Sequence, residues 1–253
     1  MLRLIRFRSG LALATIAFLL PLQSARAAHP FLTEDPGTQG AGRSELELGF
    51  AAANGDPSIN GRGTLFSSQY SFGVTETVDV IVQAFWQTQS PAGAPSVRGF
   101  NNTILDIKWQ FVDDGPLALG VRGGLEFPTG DAAKGLGGGD VSAHILGIVG
   151  WKFDDVQILM NAGYARLRQP GLRPDFGFFS VALIGTDVGI VRPFIEAATF
   201  SNTDPAVTQW PAVARTGVIY SANSTLDLDV GVQTRLNRSA TRLAWLAGAT
   251  IRW

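Results

Sequence analysis

Along most of the chain apolar and polar residues alternate with a period of two, the spacing of a strand whose two faces meet different surroundings. Over 43–53, Leu46, Leu48 and Phe50 fall on one face and Glu45, Glu47 and Gly49 on the other. Over 77–88, Val78, Val80, Val82 and Trp86 oppose Asp79, Gln83 and Gln87. The same split sets Leu105, Ile107, Trp109 and Phe111 against Asp106, Lys108 and Gln110, and Leu117, Leu119, Val121, Leu125 and Phe127 against Ala118, Gly120, Arg122, Gly124 and Glu126. It recurs with Leu226, Leu228, Val230 and Val232 against Asp227, Asp229, Gly231, Gln233 and Arg235, and with Leu243, Trp245, Ala247, Ala249, Ile251 and Trp253 against Arg242, Gly248, Thr250 and Arg252. In all, about twelve strands are predicted, over 43–53, 62–73, 77–88, 102–112, 117–127, 143–153, 156–166, 176–185, 188–200, 212–221, 225–236 and 242–253.

The connections alternate in length. Long ones fall at 54–61, 89–101, 128–142, 167–175, 201–211 and 237–241, and short ones at 74–76, 113–116, 154–155, 186–187 and 222–224. Long loops at one end and tight turns at the other predict an all-β fold: an up-and-down antiparallel transmembrane β-barrel of about 12 strands with both termini on the tight-turn side. Ten or fourteen strands are the alternatives. Pro193 interrupts 188–200 and removes a ladder donor, and 176–185, with Phe176, Phe178, Phe179, Val181 and Leu183, alternates poorly.

Energetics orients the two faces. A basic side chain on the lipid face near mid-bilayer costs roughly 2–4 kcal/mol, so the charged faces are expected to point into the lumen. A soluble barrel would reverse the faces, and periodicity alone does not separate the two. Aromatic placement favours the membrane: Phe72, Trp109, Phe111, Trp151, Phe153 and Trp253 lie beside the short turns, and Phe66, Trp86, Phe127, Tyr164 and Phe176 nearer the long loops, as two interfacial girdles. The last strand ends in Trp253, an aromatic terminus resembling the signal by which the barrel assembly machinery recognises outer-membrane proteins.

The opening residues add a compartment. Arg3, Arg6 and Arg8 precede an apolar run over 11–22 and the small-x-small site Ala25-Arg26-Ala27, the layout of a cleaved secretory signal peptide over 1–27. An uncleaved anchor is the alternative, although that run is short for a membrane-spanning helix. Cleavage would remove four of the 20 basic residues and leave 16 against 21 acidic ones, a net charge of −5. The division expected is a signal peptide over 1–27, a periplasmic segment over 28–42 and an outer-membrane barrel over 43–253.

Composition excludes several chemistries. There is no cysteine, and His29 and His144 are the only histidines, so disulfides, thiol catalysis and cysteine- or histidine-rich metal sites are out. The near-zero charge offers no footprint for nucleic acid. No cofactor is expected.

Several segments in order carry a family resemblance. His29-Pro30-Phe31-Leu32-Thr33-Glu34-Asp35-Pro36 resembles a Pro-hydrophobic-Thr-acidic-acidic opening, ahead of a first strand containing Glu45-Leu46-Glu47. Phe72-Gly73-Val74-Thr75-Glu76-Thr77-Val78-Asp79-Val80 is similar to a Gly-hydrophobic-Thr turn. Phe127-Pro128-Thr129-Gly130-Asp131, Gly135-Leu136-Gly137-Gly138-Gly139-Asp140 and Asn161-Ala162-Gly163-Tyr164 follow. Together they resemble the outer-membrane transporter family named after the meta pathway of phenol degradation. The resemblance implies a barrel pore for hydrophobic or aromatic nutrients.

The candidate pathway consists of Glu45, Glu47, Asp79, Asp106, Lys108, Arg122, Glu126, Lys152, Asp227, Asp229, Arg235 and Arg242. The plainer alternative is that these charges pair with one another in a polar lumen. Both signs occur, which disfavours a dedicated anion or cation pore. Lumen-side glycines such as Gly49, Gly120, Gly124, Gly231 and Gly248 leave room or let strands bend. The proline- and glycine-rich stretch 29–42 is a candidate plug. Asp131, Lys134 and Asp140 in a glycine-rich loop do not match a calcium-loop spacing. Ser142 and His144 share a face and raise a lipid hydrolase, but no third, orienting group is identified.

The expectation is therefore a non-enzymatic outer-membrane channel of a Gram-negative bacterium for small hydrophobic or aromatic compounds, whose partners are outer-membrane lipid, the assembly machinery and a small-molecule permeant. A hydrophilic porin for sugars or organic acids, a barrel lipid hydrolase and an adhesion or structural barrel are the alternatives.

Overall fold

Each alternating segment pairs with its neighbour in sequence, and the last pairs with the first. The computed structural model describes residues 30–253 apart from 58, 154–155, 170 and 186–189. The predicted signal peptide lies outside the described residues. The strands are β1 (Ser44–Asp56), β2 (Gly61–Gly73), β3 (Val78–Pro91), β4 (Val97–Phe100), β5 (Thr103–Asp114), β6 (Leu117–Phe127), β7 (Ser142–Phe153), β8 (Val156–Arg166), β9 (Asp175–Gly185), β10 (Val191–Phe200), β11 (Ala212–Asn223), β12 (Leu226–Arg235) and β13 (Leu243–Arg252). All pairings are antiparallel. Closure runs from Glu45–Arg252 to Asn54–Leu243, and beyond it Ser44 and Trp253 exchange both backbone hydrogen bonds at 2.9 and 3.1 Å. Closure removes the edges of the first and last strands, which would otherwise leave backbone groups unpaired.

Thirteen strands fill twelve positions in the wall. β3 pairs with β5 from Val78–Trp109 to Gln83–Ile104 and with β4 from Trp86–Phe100 to Gln89–Val97. The register slips by one residue at Asn101–Asn102, so β4 and β5 are one wall strand broken by a bulge. The stretch read from sequence as the long loop 89–101 is thus a hairpin. Val97–Phe100 is too short and too glycine-interrupted to show alternation, and the length of β3 decides its pairing.

Two further differences have plain causes. The strand predicted over 188–200 begins at Val191, and its pairing with β9 starts only at Phe194–Ile184. The missing N–H of Pro193 therefore falls past the end of that ladder. In β9, Phe176, Phe178, Ser180 and Ala182 are buried inside while Phe179 and Leu183 are exposed outside. Both faces are apolar, which flattened the period-two signal. Phe176, assigned to the long-loop girdle, faces the lumen.

The outer surface is apolar all the way round, with Val82, Leu105, Ile107, Leu125, Ile145, Leu183, Ile195, Val230 and Trp245 exposed. The carboxylates and cations of the strand centres are inside. That is the inverse of a water-soluble barrel. All strands except β4 are 10 to 14 residues long, enough to cross a bilayer when tilted. The interior has two characters. The inner faces of β1–β6 carry most of the buried charge, whereas those of β7–β11 carry Leu146, Ile148, Leu159, Phe176, Phe178, Phe194, Phe200 and Val213.

Candidate functional site

The segment before β1 lies inside the barrel and crosses it. It leaves the tight-turn rim, where Gly42 N–H donates to Gly73 O at 2.8 Å and Gln39 N–H donates to both oxygens of Asp79 at 3.1 Å. Gln39 Nε2 donates to Glu45 Oε1 at 2.9 Å. Further in, Lys108 Nζ donates to Glu34 Oε1 at 3.0 Å and Arg122 Nη1 to Glu34 Oε2. Asn161 clamps the backbone of Glu34, accepting from its N–H at 2.6 Å and donating to its carbonyl at 2.9 Å. Thr33 Oγ1 lies 2.9 Å from Ser180 Oγ, and Glu196 accepts from Leu32 N–H at 2.8 and 2.9 Å and from Thr33 N–H at 2.6 Å. Arg215 Nη1 donates to Pro30 O at 3.0 Å. Within ten residues this strap moves from β3 through β5, β6, β8, β9 and β10 to β11.

Apolar contacts follow the same path. Phe31 meets Phe194 edge-on with ring centroids 4.6 Å apart, and Leu32 joins the cluster of Leu146, Phe176, Phe178 and Phe200. Glycine makes the passage. A Cβ on Gly150 would lie 2.8 Å from Pro36 Cγ, so the bare backbone there is a seat for the proline.

The anchors are a charge network. Lys108 and Arg122 are partners in the β5–β6 register, both buried and both facing in. Like charges directly opposite repel, and the two oxygens of Glu34 divide between them. Arg122 Nε also donates to Asp106 Oδ2 at 2.7 Å, and Asp106 Oδ1 lies 2.9 Å from His144 Nε2. Asp106 and His144 are separated in register by Gly124, where a Cβ would stand 2.2 Å from Asp106 Oδ1. Burial pushes the Glu34 carboxyl up, but Lys108 and Arg122 outweigh burial and hold it below the ordinary carboxylate range.

Of the twelve charges singled out from sequence, Glu45, Glu47, Asp79, Asp106, Lys108, Arg122, Glu126, Asp227 and Asp229 are buried on the inner face. Lys152, Arg235 and Arg242 are exposed at the barrel ends, where long side chains reach water. Much of the set is mutually paired: Arg252 bridges Glu45 at 2.7 Å and Asp227 at 2.8 Å, and Glu126 accepts from Asn102 at 2.8 Å and Gln169 at 2.9 Å. Phe72, Trp109, Phe111, Trp151, Phe153 and Trp253 are all exposed on the outside near the tight turns. Among the long-loop aromatics Phe66, Trp86 and Tyr164 are exposed, and Phe127 is half-buried.

Sequence reasoning passed over Glu196, Arg215 and Ser180 and met Asn161 only within the motif Asn161-Ala162-Gly163-Tyr164; these four are the anchors on β8–β11. A lone carboxylate, Glu196, between the outward Ile195 and Ala197 was the available signal. Ser142 Oγ accepts from Arg168 N–H at 3.0 Å, and His144 faces Asp106. Asp131 caps the short helix Ala132–Lys134 and pairs with Lys134 at 2.7 Å.

The strap divides the lumen. On the tight-turn side is a polar vestibule of about 380 Å³ lined by Asp35, Arg43, Glu76, Asp113 and Lys152 among others. On the long-loop side is a cavity of about 50 Å³ whose lining mixes Arg122, Glu126 and His144 with Phe85, Ile104, Leu146, Phe176 and Phe178.

No protein-family model and no curated relative matches the chain. Solved structures do. The COG4313 outer membrane channel from Pseudomonas putida F1 superposes with a TM-score of 0.67 over 87% of this chain and 98% of that one, at 9% identity. The NanC porin gives 0.60 over 81% and 98% at 7% identity, and the CymD monoaromatic hydrocarbon channel 0.51 over 84% and 88% at 8%. At these identities the likeness is one of fold.

Proposed function

We propose that this chain is a passive outer-membrane channel for small hydrophobic or aromatic compounds, with the strap over 30–42 as its plug. In this reading residues 1–27 are a signal peptide removed on export. Its partners are the surrounding lipid and the assembly machinery that inserts the barrel. The aromatic side chains beside the tight turns sit at the membrane interface.

One observation carries the choice of permeant. The inner faces of β7–β11 present Leu146, Phe176, Phe178 and Phe200 to the lumen. An aqueous pore for sugars has no use for such a wall, because water against buried aromatic surface is unfavourable, whereas a hydrophobic permeant gains from it. Kinship with the phenol meta-pathway transporters rests on the ordered motifs in the sequence. The reading assigns no catalysis: Ser142 and His144 are engaged with Arg168 and Asp106.

The test is conductance of the refolded mature protein in a planar bilayer, titrated with aromatic compounds and, separately, with sugars. Open levels modulated by the aromatic series and indifferent to sugars are expected. Folded protein with the reverse preference would overturn the choice of permeant, and folded protein that never conducts would overturn the channel.

A further inference from the structure

Lys108 and Arg122 form a carboxylate site whose present occupant belongs to the chain itself. They are cross-strand neighbours, both buried, and one carboxylate, Glu34, takes a bond from each. Two residues before it, Leu32 fills the apolar cluster of Leu146, Phe176 and Phe178. The strap therefore offers the wall an acid group next to an aliphatic body. Immediately beyond it, the 50 Å³ cavity has the guanidinium of Arg122 and the rings of Phe176 and Phe178 in one lining.

We propose that the permeant is a hydrophobic carboxylate, an aromatic or aliphatic acid, that competes with Glu34 for Lys108 and Arg122 and so displaces the strap. This rests on the channel reading above and names its substrate class. The physical reason is charge. With the strap withdrawn, the two buried cations lose the carboxylate that bridges them. Asp106, shared with His144, stays on Arg122, and the buried Asp79 stands opposite Lys108 in the β3–β5 register, but neither spans the pair. Gln69 links Arg122 to Glu47, donating to Glu47 at 2.7 Å and accepting from Arg122 at 3.0 Å. Stripping two buried charged donors of the acceptor they share is costly. A neutral hydrocarbon entering the vacated space would leave that cost standing, and a short acid would leave the apolar wall wet. A ligand with both parts satisfies both. Because it binds only the unseated state, it shifts the strap equilibrium toward opening.

The experiment uses the mature protein folded in detergent and titrated by calorimetry with benzoate, with the neutral isostere benzamide, and with acetate. Benzoate is expected to bind at least about tenfold more tightly than either, as one charge-assisted hydrogen bond and a buried ring require. Glu34→Gln removes the competitor and should tighten benzoate about tenfold or more while leaving benzamide unchanged. Lys108→Gln should cancel the preference for benzoate, and Lys108→Arg should restore it. Equal binding of benzoate and benzamide, or no response to Glu34→Gln, would overturn the proposal. If Lys108→Gln does not fold, as an unboiled gel would report, the Glu34→Gln comparison decides by itself. Calorimetry is independent of conduction: tight benzoate binding with a silent bilayer would sink the channel and leave the carboxylate site standing, and a conducting bilayer without benzoate preference would do the reverse.

Discussion

Lys108 and Arg122 stand directly opposite each other on the inner faces of β5 and β6, two buried cations bridged by the carboxylate of Glu34. Removing one member of a buried ion pair costs about 3–5 kcal/mol because the remaining charge is left uncompensated. In Glu34→Gln that cost falls on the seated strap, since the strand ladders do not depend on Glu34. The variant should show a larger open fraction in planar bilayers with an unchanged mobility shift on unboiled gels. A variant that conducts like the parent would mean that the Glu34 bonds contribute little to closure.

Acid should open the channel, and only well below neutrality. The groups facing Glu34 are Lys108 and Arg122, with Asp106 behind Arg122, the buried Glu47 within reach of its charge and Asp35 beside it in the chain. They hold its carboxyl below the ordinary range. A carboxyl depressed in the seated state contributes stability that is present above its free value of about 4.3 and is lost as pH falls through the lower seated value. Conductance should therefore stay flat from about pH 8 to 5 and rise below about pH 4. Glu34→Gln should abolish that step. A midpoint near pH 6 in the parent would assign the switch to another group.

Gly150 gives a way to loosen the strap without touching a charge. In Gly150→Ala the new methyl would stand 2.8 Å from Pro36 Cγ and 3.0 Å from its Cδ, closer than van der Waals contact allows. The strap must give way, because β7 is held on both sides by β6 and β8. Faster proteolysis of the N-terminal segment in an otherwise resistant barrel is expected. Cleavage at the parental rate would show that Pro36 can shift within a seated strap.

The outer face makes a separate prediction. Val230 lies at the middle of β12 and is 56% exposed, beside the inward Asp229. Val230→Arg should lower the free energy of folding into lipid vesicles by about 2–4 kcal/mol, and Val230→Leu by little. Equal stability of the two variants in denaturant titrations would remove Val230 from the hydrocarbon.

Alternation made the barrel legible because most strands separate a charged inner face from an apolar outer one. Glu45 and Glu47 opposite Leu46 and Leu48, or Asp106 and Lys108 opposite Leu105 and Ile107, leave no ambiguity about face. The signal failed where the lumen itself turns apolar, as with Phe176 and Phe178, since both faces of β9 then look alike. It also failed at Asn101–Asn102, where the break in the wall is set by what β3 pairs with and not by local composition. The strap was visible as a proline- and glycine-rich stretch with Glu34 in it, and lumen-side glycines such as Gly120 and Gly124 signalled room inside, although Gly150, the seat of Pro36, was not among them. What fills that space depends on contacts between residues far apart in the chain, such as Glu34 with Arg122 and Thr33 with Glu196, which no local pattern encodes.

The path of the strap also orders assembly. Its side-chain bonds beyond the rim join residues 74 to 185 positions apart and reach strands from β5 to β11. Those partners converge on one segment only when β5 to β11 are all paired and curved round it, so docking has to follow assembly of that wall. Until then Lys108, Arg122 and Glu196 are solvated in an open interior, and contacts of such long sequence separation form last. The layer that forms last and rests on the completed wall can also come away first, as a local opening that leaves every strand pair intact. A seated strap is thus a mark of an assembled wall, and plugging needs no signal beyond that assembly itself.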